Sequence, residues 1–346
     1  MPRSDGSEGY CVRPPQGSGP GILLLHAGDA AALESLADKL GEDGYTVLVS
    51  EAVDVVRAAD ALRALPTFRG RFGIIGFGTG GRIALDAAAT RQADCAVSYY
   101  EPASEAAGAP VVVHLAGAHN VSGHRDFEVY GYPERTGAFA TPASPDYFKP
   151  AAEMAYSRTL ALLRRVLGPY YDLSSLWEAH RRCEFETRDA DATIATMVAQ
   201  PYVNHIPTLT GGYGRAELHR FYKHHFIPKS PKDMRNIPIS RTVGADRVVN
   251  EGVLCFTHDT EIDWMLPGVA PTGRYVEVGL VGIVTFRGDK LVHEHIYWDQ
   301  ASVLVQIGLL DPAGLPVAGA AAAKKILEPG RPSNALMKRW RESEGK

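Results

Sequence analysis

His293, His295, Tyr297 and Asp299 recur at every second position in one strand-like stretch of a 346-residue chain. Alternate residues of a strand share a face. This spacing therefore gathers two imidazoles, a phenol and a carboxylate opposite Val292, Glu294, Ile296 and Trp298. A face open to solvent would carry lysine, glutamate or threonine at such positions. Two histidines and a tyrosine beside an aspartate suit an enclosed pocket, in which carboxylate and imidazole set each other's pKa toward neutrality, as proton abstraction next to a carbonyl requires. The expected roles are Asp299 and His295 as a proton-transfer pair, Tyr297 as donor to a developing enolate oxygen, and His293 as a substrate contact. The alternative use is a metal site, with His293-x-His295 joined by His205 or His258 and a carboxylate around zinc or iron, although nothing else fixes the ligand spacing.

A second chemical signal lies in Gly76-Phe77-Gly78-Thr79-Gly80-Gly81. A glycine-rich turn between strand and helix can cradle phosphate, but that fingerprint belongs on the first strand of its fold and this one follows the third. The other reading is a nucleophile elbow, whose small flanking residues let a strained turn lift a serine or cysteine above the sheet. Here the apex is Gly78.

Alternating elements position this turn. Ile22 to Leu25, Tyr45 to Val49, Phe72 to Ile75, Ala96 to Tyr100 and Val111 to Leu115 read as short buried strands. Helical spacing falls between them, at Ala30 to Leu40, Val55 to Leu65 and Arg82 to Thr90. Such alternation implies a doubly wound sheet. PGILLLHAG, the elbow, APVVVHLAG, GYPERTGAF and YFKPAAEMAYSRTLALLRRVLG follow the order of the dienelactone hydrolases, which this half resembles over residues 18 to 168. That family uses a Cys-His-Asp triad. Carried over by position, the cysteine falls on Gly78, the aspartate on His119 and the histidine on Gly137, so all three roles are vacant. The resemblance implies an α/β-hydrolase-type domain over residues 1 to 168 that has lost its chemistry. His114, His119 and His124 lie near the triad end without a nucleophile to activate.

Beyond Gly168-Pro169 the pattern changes to helices at Leu173 to Thr187, Ala190 to Val198 and Ala216 to Phe226, then strands from Arg235 to Tyr297. Helices followed by an antiparallel meander indicate an α+β domain. Leu176, Trp177, His180 and Glu184 share one flank of the first helix, yet His180 and His219 are read as surface residues. His224 and His225 are read as helix-end residues, where cations are favoured. AQPYVNHIP, GRAELHRFY and the block from Pro271 to Leu310 make residues 170 to 311 similar to SnoaL-like polyketide cyclases, of the nuclear-transport-factor-2-like fold. The resemblance implies a conical pocket at residues 169 to 330, with Asp299 as its general acid/base, His258 as a second catalytic residue, and His205 reaching the pocket. Tyr202, Trp177 and Phe221 are expected to wall it. Residues 331 to 346 form a charged tail carrying Leu336, Met337 and Trp340.

Composition bounds the rest. Apolar content of 45% and charged content of 22% fit a globular protein, and a net charge of −4 argues against nucleic acid as a partner. No apolar run reaches membrane-spanning length, and Arg3, Asp5 and Glu8 occupy the place of a signal peptide's apolar stretch. Four scattered cysteines without CxxC spacing read as reduced thiols, so the expected compartment is cytoplasmic. The expectation is a homodimeric, cofactor-independent isomerase, cyclase or lyase acting on a small apolar carbonyl compound or lactone. The alternatives are a lactone, ester or epoxide hydrolase, and a non-catalytic ligand-binding protein.

Overall fold

The computed structural model describes residues 10–26, 30–51, 54–103, 108–117, 122–124 and 126–346. The chain divides into two compact units, Met1–Tyr171 and Asp172–Lys346. Among the described residues no helix is long and apolar enough to cross a membrane.

In the first unit the strands are β1 (Tyr10–Val12), β2 (Gly19–His26), β3 (Thr46–Glu51), β4 (Phe68–Phe77), β5 (Cys95–Tyr99), β6 (Val111–Ala116), β7 (Ser122–His124) and β8 (Phe127–Tyr132). The helices are α1 (Glu34–Glu42), α2 (Val55–Ala64), α3 (Thr79–Ala89) and α4 (Lys149–Leu167). The sheet order is β1-β3-β2-β4-β5-β6-β8-β7, parallel except at β1 and β7. Strands covered on both faces must be apolar on both, and Ile22 to Leu25 are accordingly without solvent exposure. Leu23, Leu25, Ile74 and Val113 pack with Ala58, Leu62, Ala84 and Ala88 of α2 and α3, and alternate strand residues face the other side. This is the doubly wound layer that the strand-helix alternation implies.

The second unit runs α5 (Leu173–Phe185), α6 (Ala190–Ala195), β9 (Met197–His205), β10 (Thr210–Tyr213), α7 (Arg215–Phe221), β11 (Arg235–Val243), β12 (Arg247–Thr257), β13 (Tyr275–Arg287), β14 (Lys290–Trp298), α8 (Gln300–Ile307) and α9 (Ala320–Leu327). A π-helical turn over Tyr222–Phe226 prolongs α7. Sheet order is β10-β9-β14-β13-β12-β11, antiparallel except where β14 runs parallel to β9. That pairing explains one departure from the sequence reading. Helical spacing continues to Val198, but Met197 is already in register with Leu291, so sheet pairing ends α6 at Ala195. On the outer face of the sheet, Ala323 and Ile326 of α9 cover Ile237, Val253 and Cys255.

Candidate active site

Helix α5 starts at Asp172, whose carboxylate accepts from Ser175 N. Trp177, His180 and Glu184 lie on its buried flank. All three belong to one face by helical spacing, and that face looks into the sheet. His180 has no solvent exposure, and its Nε2 lies 3.2 Å from Oε1 of Glu184 and 3.2 Å from Oε1 of Glu294 on β14. Neither oxygen lies where the ring N–H would direct a hydrogen bond. The Tyr222 hydroxyl donates to Glu294 Oε1 at 3.2 Å.

The opposite ring nitrogen has a defined role. Thr196 Oγ1 donates to the Thr193 carbonyl at 2.6 Å, so toward His180 Nδ1, also 2.6 Å away, the same oxygen accepts. Nδ1 therefore carries its proton. Burial works against a charged His180 ring, but Glu184 and Glu294 outweigh it and hold the pKa up at about 10. Burial pushes the Glu184 carboxyl up, the nearby Glu294 adds to that, and His180 opposes both. The Tyr222 phenol is raised by burial and by the same two carboxylates. Burial takes His205 down to about 4, and its Nδ1–H donates to the Thr210 carbonyl at 3.2 Å.

Glu184 and Glu294 border a cavity of about 80 Å³ as traced by the centre of a water-sized sphere. A single water needs roughly 10–15 Å³ by that measure, so there is room for several waters or a small organic molecule. Trp177, Phe226, Trp264 and His205 wall it with aromatic rings. A cluster of ionisable groups at the edge of an aromatic cavity can hold a proton close to an apolar substrate.

The structure brings the sequence candidates together only in part. Trp177 and His205 wall the cavity. Phe221 is buried against His205, with ring centres 5.7 Å apart, behind that wall. His293 and His295 lie with tilted rings 4.9 Å apart between centres on the other side of β14, beside Tyr202 of β9. Tyr297 and Asp299 are exposed, and Asp299 caps α8, accepting from Ser302 N at 3.2 Å and Ser302 Oγ at 2.6 Å. The face of β14 that looks into the cavity is Glu294 and Ile296, so the expected orientation of this strand is reversed. Period two separates two faces without saying which is enclosed; the apolar Ile296 and Trp298 mark the inner one. His258 is buried away from the cavity and bonds Thr272 Oγ1 at 3.1 Å, supporting the turn before β13. The reading of His180 as a surface residue is likewise corrected. The missed signal was one charged residue, Glu294, on an otherwise apolar strand face, matched by His180 and Glu184 on the apolar flank of α5. Among the described residues, those three are the histidine, cysteine and carboxylate group close enough to share an ion, and the expected His293-His295 grouping is not.

In the first unit the elbow is intact without its nucleophile. Gly78 has φ +55° and ψ −128°, and a Cβ there would meet nothing within 4 Å. A Cβ on Gly76 would collide with the Gly80 backbone, so the flanking glycines are required by close packing. Gly137 also has positive φ, and a side chain there would run into Asp146. His119 and the side chain of His124 lie outside the described residues. His114 is fully buried, bonded to Thr159 Oγ1 at 3.0 Å and Tyr132 OH at 2.9 Å.

Residues 49–167 match the dienelactone hydrolase family. Carboxymethylenebutenolidase 1 of Cupriavidus pinatubonensis is 29% identical over an alignment of 136 residues, with 34% of this chain and 58% of that relative covered. The chain thus spans a little over half the length of the curated relative it matches. A protein assigned as a dienelactone hydrolase from Klebsiella pneumoniae is 20% identical, with 45% of this chain and 92% of that one covered and a TM-score of 0.36. A different part of the chain is similar to an NTF2-like protein of unknown function from Burkholderia pseudomallei, at 20% identity, 40% and 99% coverage and a TM-score of 0.32. It is also similar to a protein assigned as a SnoaL-like polyketide cyclase from Jannaschia sp., at 18% identity, 42% and 99% coverage and a TM-score of 0.32. The match to the dienelactone hydrolase family thus covers residues 49–167, with glycine at the apex of the strand-to-helix turn, and the similarity to NTF2-like and SnoaL-like structures falls on a different part of the chain.

Proposed function

We propose that this chain is an acid/base enzyme of the isomerase, cyclase or lyase type, acting on a small apolar carbonyl compound or lactone in the cavity of the second unit. The observation that carries this is His180 Nε2 held 3.2 Å from both Glu184 and Glu294 at the edge of an aromatic cavity. Of the two carboxylates, Glu294 is fixed by the Tyr222 hydroxyl and borders the cavity, within reach of a bound carbon acid. An imidazolium beside it stabilises negative charge as an enolate forms. The aromatic walls exclude water and hold a flat, apolar ligand. The first unit acts as a scaffold, its elbow lacking a nucleophile.

The test is solvent-deuterium exchange into β-dicarbonyls and enol lactones by the whole chain. Glu294→Gln keeps the size and removes the basic oxygen, so exchange should fall about 10²- to 10⁴-fold. A Glu294→Gln protein that exchanges at the unmodified rate would overturn the reading.

A further inference from the structure

We propose that His180, Glu184 and Glu294 form a three-ligand site for one divalent metal ion of zinc size, with its remaining coordination position toward the aromatic cavity. This goes beyond the proton-transfer reading and rests on ligand geometry alone.

The spacing fits. Zn–N bonds of about 2.05 Å and Zn–O bonds of about 2.1 Å at tetrahedral angles set neighbouring ligand atoms about 3.4 Å apart. Nε2 of His180 lies 3.2 Å from each glutamate oxygen, and the three ligand atoms all fall within 4.8 Å of one another. An ion can therefore enter with side-chain adjustments of tenths of an ångström at Nε2.

The histidine is set for ligation. Because Thr196 donates to Thr193, it accepts the Nδ1 proton of His180, which directs Nε2 toward the carboxylates. Ligating histidines commonly have their other ring N–H engaged in this way. Nε2 itself is buried and makes no directed hydrogen bond, and an ion bound there would take the place of its proton, which is released to solvent. Tyr222 supplies the matching outer support by donating to Glu294. One imidazole and two carboxylates form a nitrogen-oxygen donor set that accepts zinc, cobalt, iron(II) or manganese. Two buried carboxylates around a dication also offset its charge. His180 and Glu184 sit one turn apart on α5, and Glu294 is fixed by the sheet, so rigid elements hold all three ligands.

The whole chain, stripped with a chelator, is titrated with Co²⁺ by calorimetry and visible absorption. One Co²⁺ per chain with the intense visible bands of a four- or five-coordinate site is expected, and Zn²⁺ should displace it. His180→Ala and the isosteric Glu184→Gln should each weaken binding at least about 10-fold, the low end for losing a ligand or its support. Glu184→Gln keeps the test valid if His180→Ala fails to fold. His293→Ala and His295→Ala, on the other face of β14, should leave binding unchanged. Absence of binding overturns the site, as does binding that survives Glu184→Gln and is lost with His295→Ala. Deuterium exchange by the stripped protein separates the two proposals. Exchange without Co²⁺ binding sinks only the metal site, and binding without exchange sinks only the catalytic reading.

Discussion

His180 Nε2 and Glu294 Oε1 meet 3.2 Å apart, joining the first helix of the second unit to its last strand. Buried ion pairs of this kind are costly to break from one side, because the remaining charge has no solvent to return to. His180→Ala leaves Glu184 and Glu294 facing each other, so the second unit should lose about 3–5 kcal/mol. Replacing all three residues by leucine should cost much less, since apolar substitution of a whole buried network is often neutral or favourable. Urea unfolding of the three proteins measures this. A His180→Ala protein as stable as the unmodified chain would show that the cluster carries no such charge.

Asp299 gives the opposite contrast. As the N-cap of α8 it satisfies Ser302 N and Ser302 Oγ. Asp299→Ala should lower stability by about 0.5–2 kcal/mol, the usual loss for a cap. Turnover or deuterium exchange should stay within a few-fold of the unmodified rate. A drop near that of Glu294→Gln would move the chemistry back to the exposed face of β14.

The first unit should be acid-sensitive through His114. Burial takes its pKa down to about 3 from 6.5, with Arg158 adding to the effect. A group whose folded pKa is depressed favours the folded state fully above its unfolded pKa, and that contribution is lost as pH falls. Stability should therefore decline between pH 6.5 and 3 as unfolding takes up a proton. His114→Gln cannot ionise, so its stability should be lower at neutral pH yet flatter over that window. The denaturant midpoint as a function of pH decides the matter, and equal slopes in the two proteins would refute it.

Gly78→Cys tests whether elbow geometry alone gives hydrolysis. Nothing within 4 Å obstructs the new side chain, but φ +55° with ψ −128° is strained for it, at about 1–3 kcal/mol. The variant should fold and label with a thiol reagent. It should not hydrolyse dienelactone or activated esters faster than a free thiol, because Gly137 stands where the family has its base. Sustained turnover would reveal a base not assigned here.

A homodimer is expected through the outer face of the second sheet. Tyr297 is 40% exposed there, on the same face as the half-buried Tyr202, His295 and Ile283. Light scattering should give twice the chain mass at micromolar concentration, and Tyr297→Lys should shift the protein toward monomer. A monomeric unmodified protein removes the expectation.

The layer architecture was legible because it depends on period and punctuation. Ile22 to Leu25 between Pro20-Gly21 and a helical run reads as a parallel strand, and the glycines of the elbow mark the turn that follows β4. The pocket was legible only as a set of candidates. Trp177, His180 and Glu184 share a helical flank in the sequence, but a flank does not say what faces it. Glu294 alternates with His293 and His295, and the local pattern favours the histidine set for chemistry without showing which face is enclosed. The decision belongs to packing: Ile296 and Trp298 go inward, and Glu294 must go with them. His258 looked catalytic by position and proved to hold a turn, since a hydrogen bond to Thr272 is invisible before the chain is folded.

The parallel pairing of β14 with β9 also has a consequence for the order of assembly. Glu294 lies on the last strand of its sheet, and that strand docks beside the first rather than against the emerging meander alone. Contacts between such distant segments close late and slowly, since the chain entropy between them must be lost first. During synthesis, α5 carries His180 and Glu184 long before Glu294 leaves the ribosome. The nascent unit thus has a histidine and a glutamate on one helix without the third group, and the cavity between helix and sheet gains its full complement of ionisable residues only when β14 inserts.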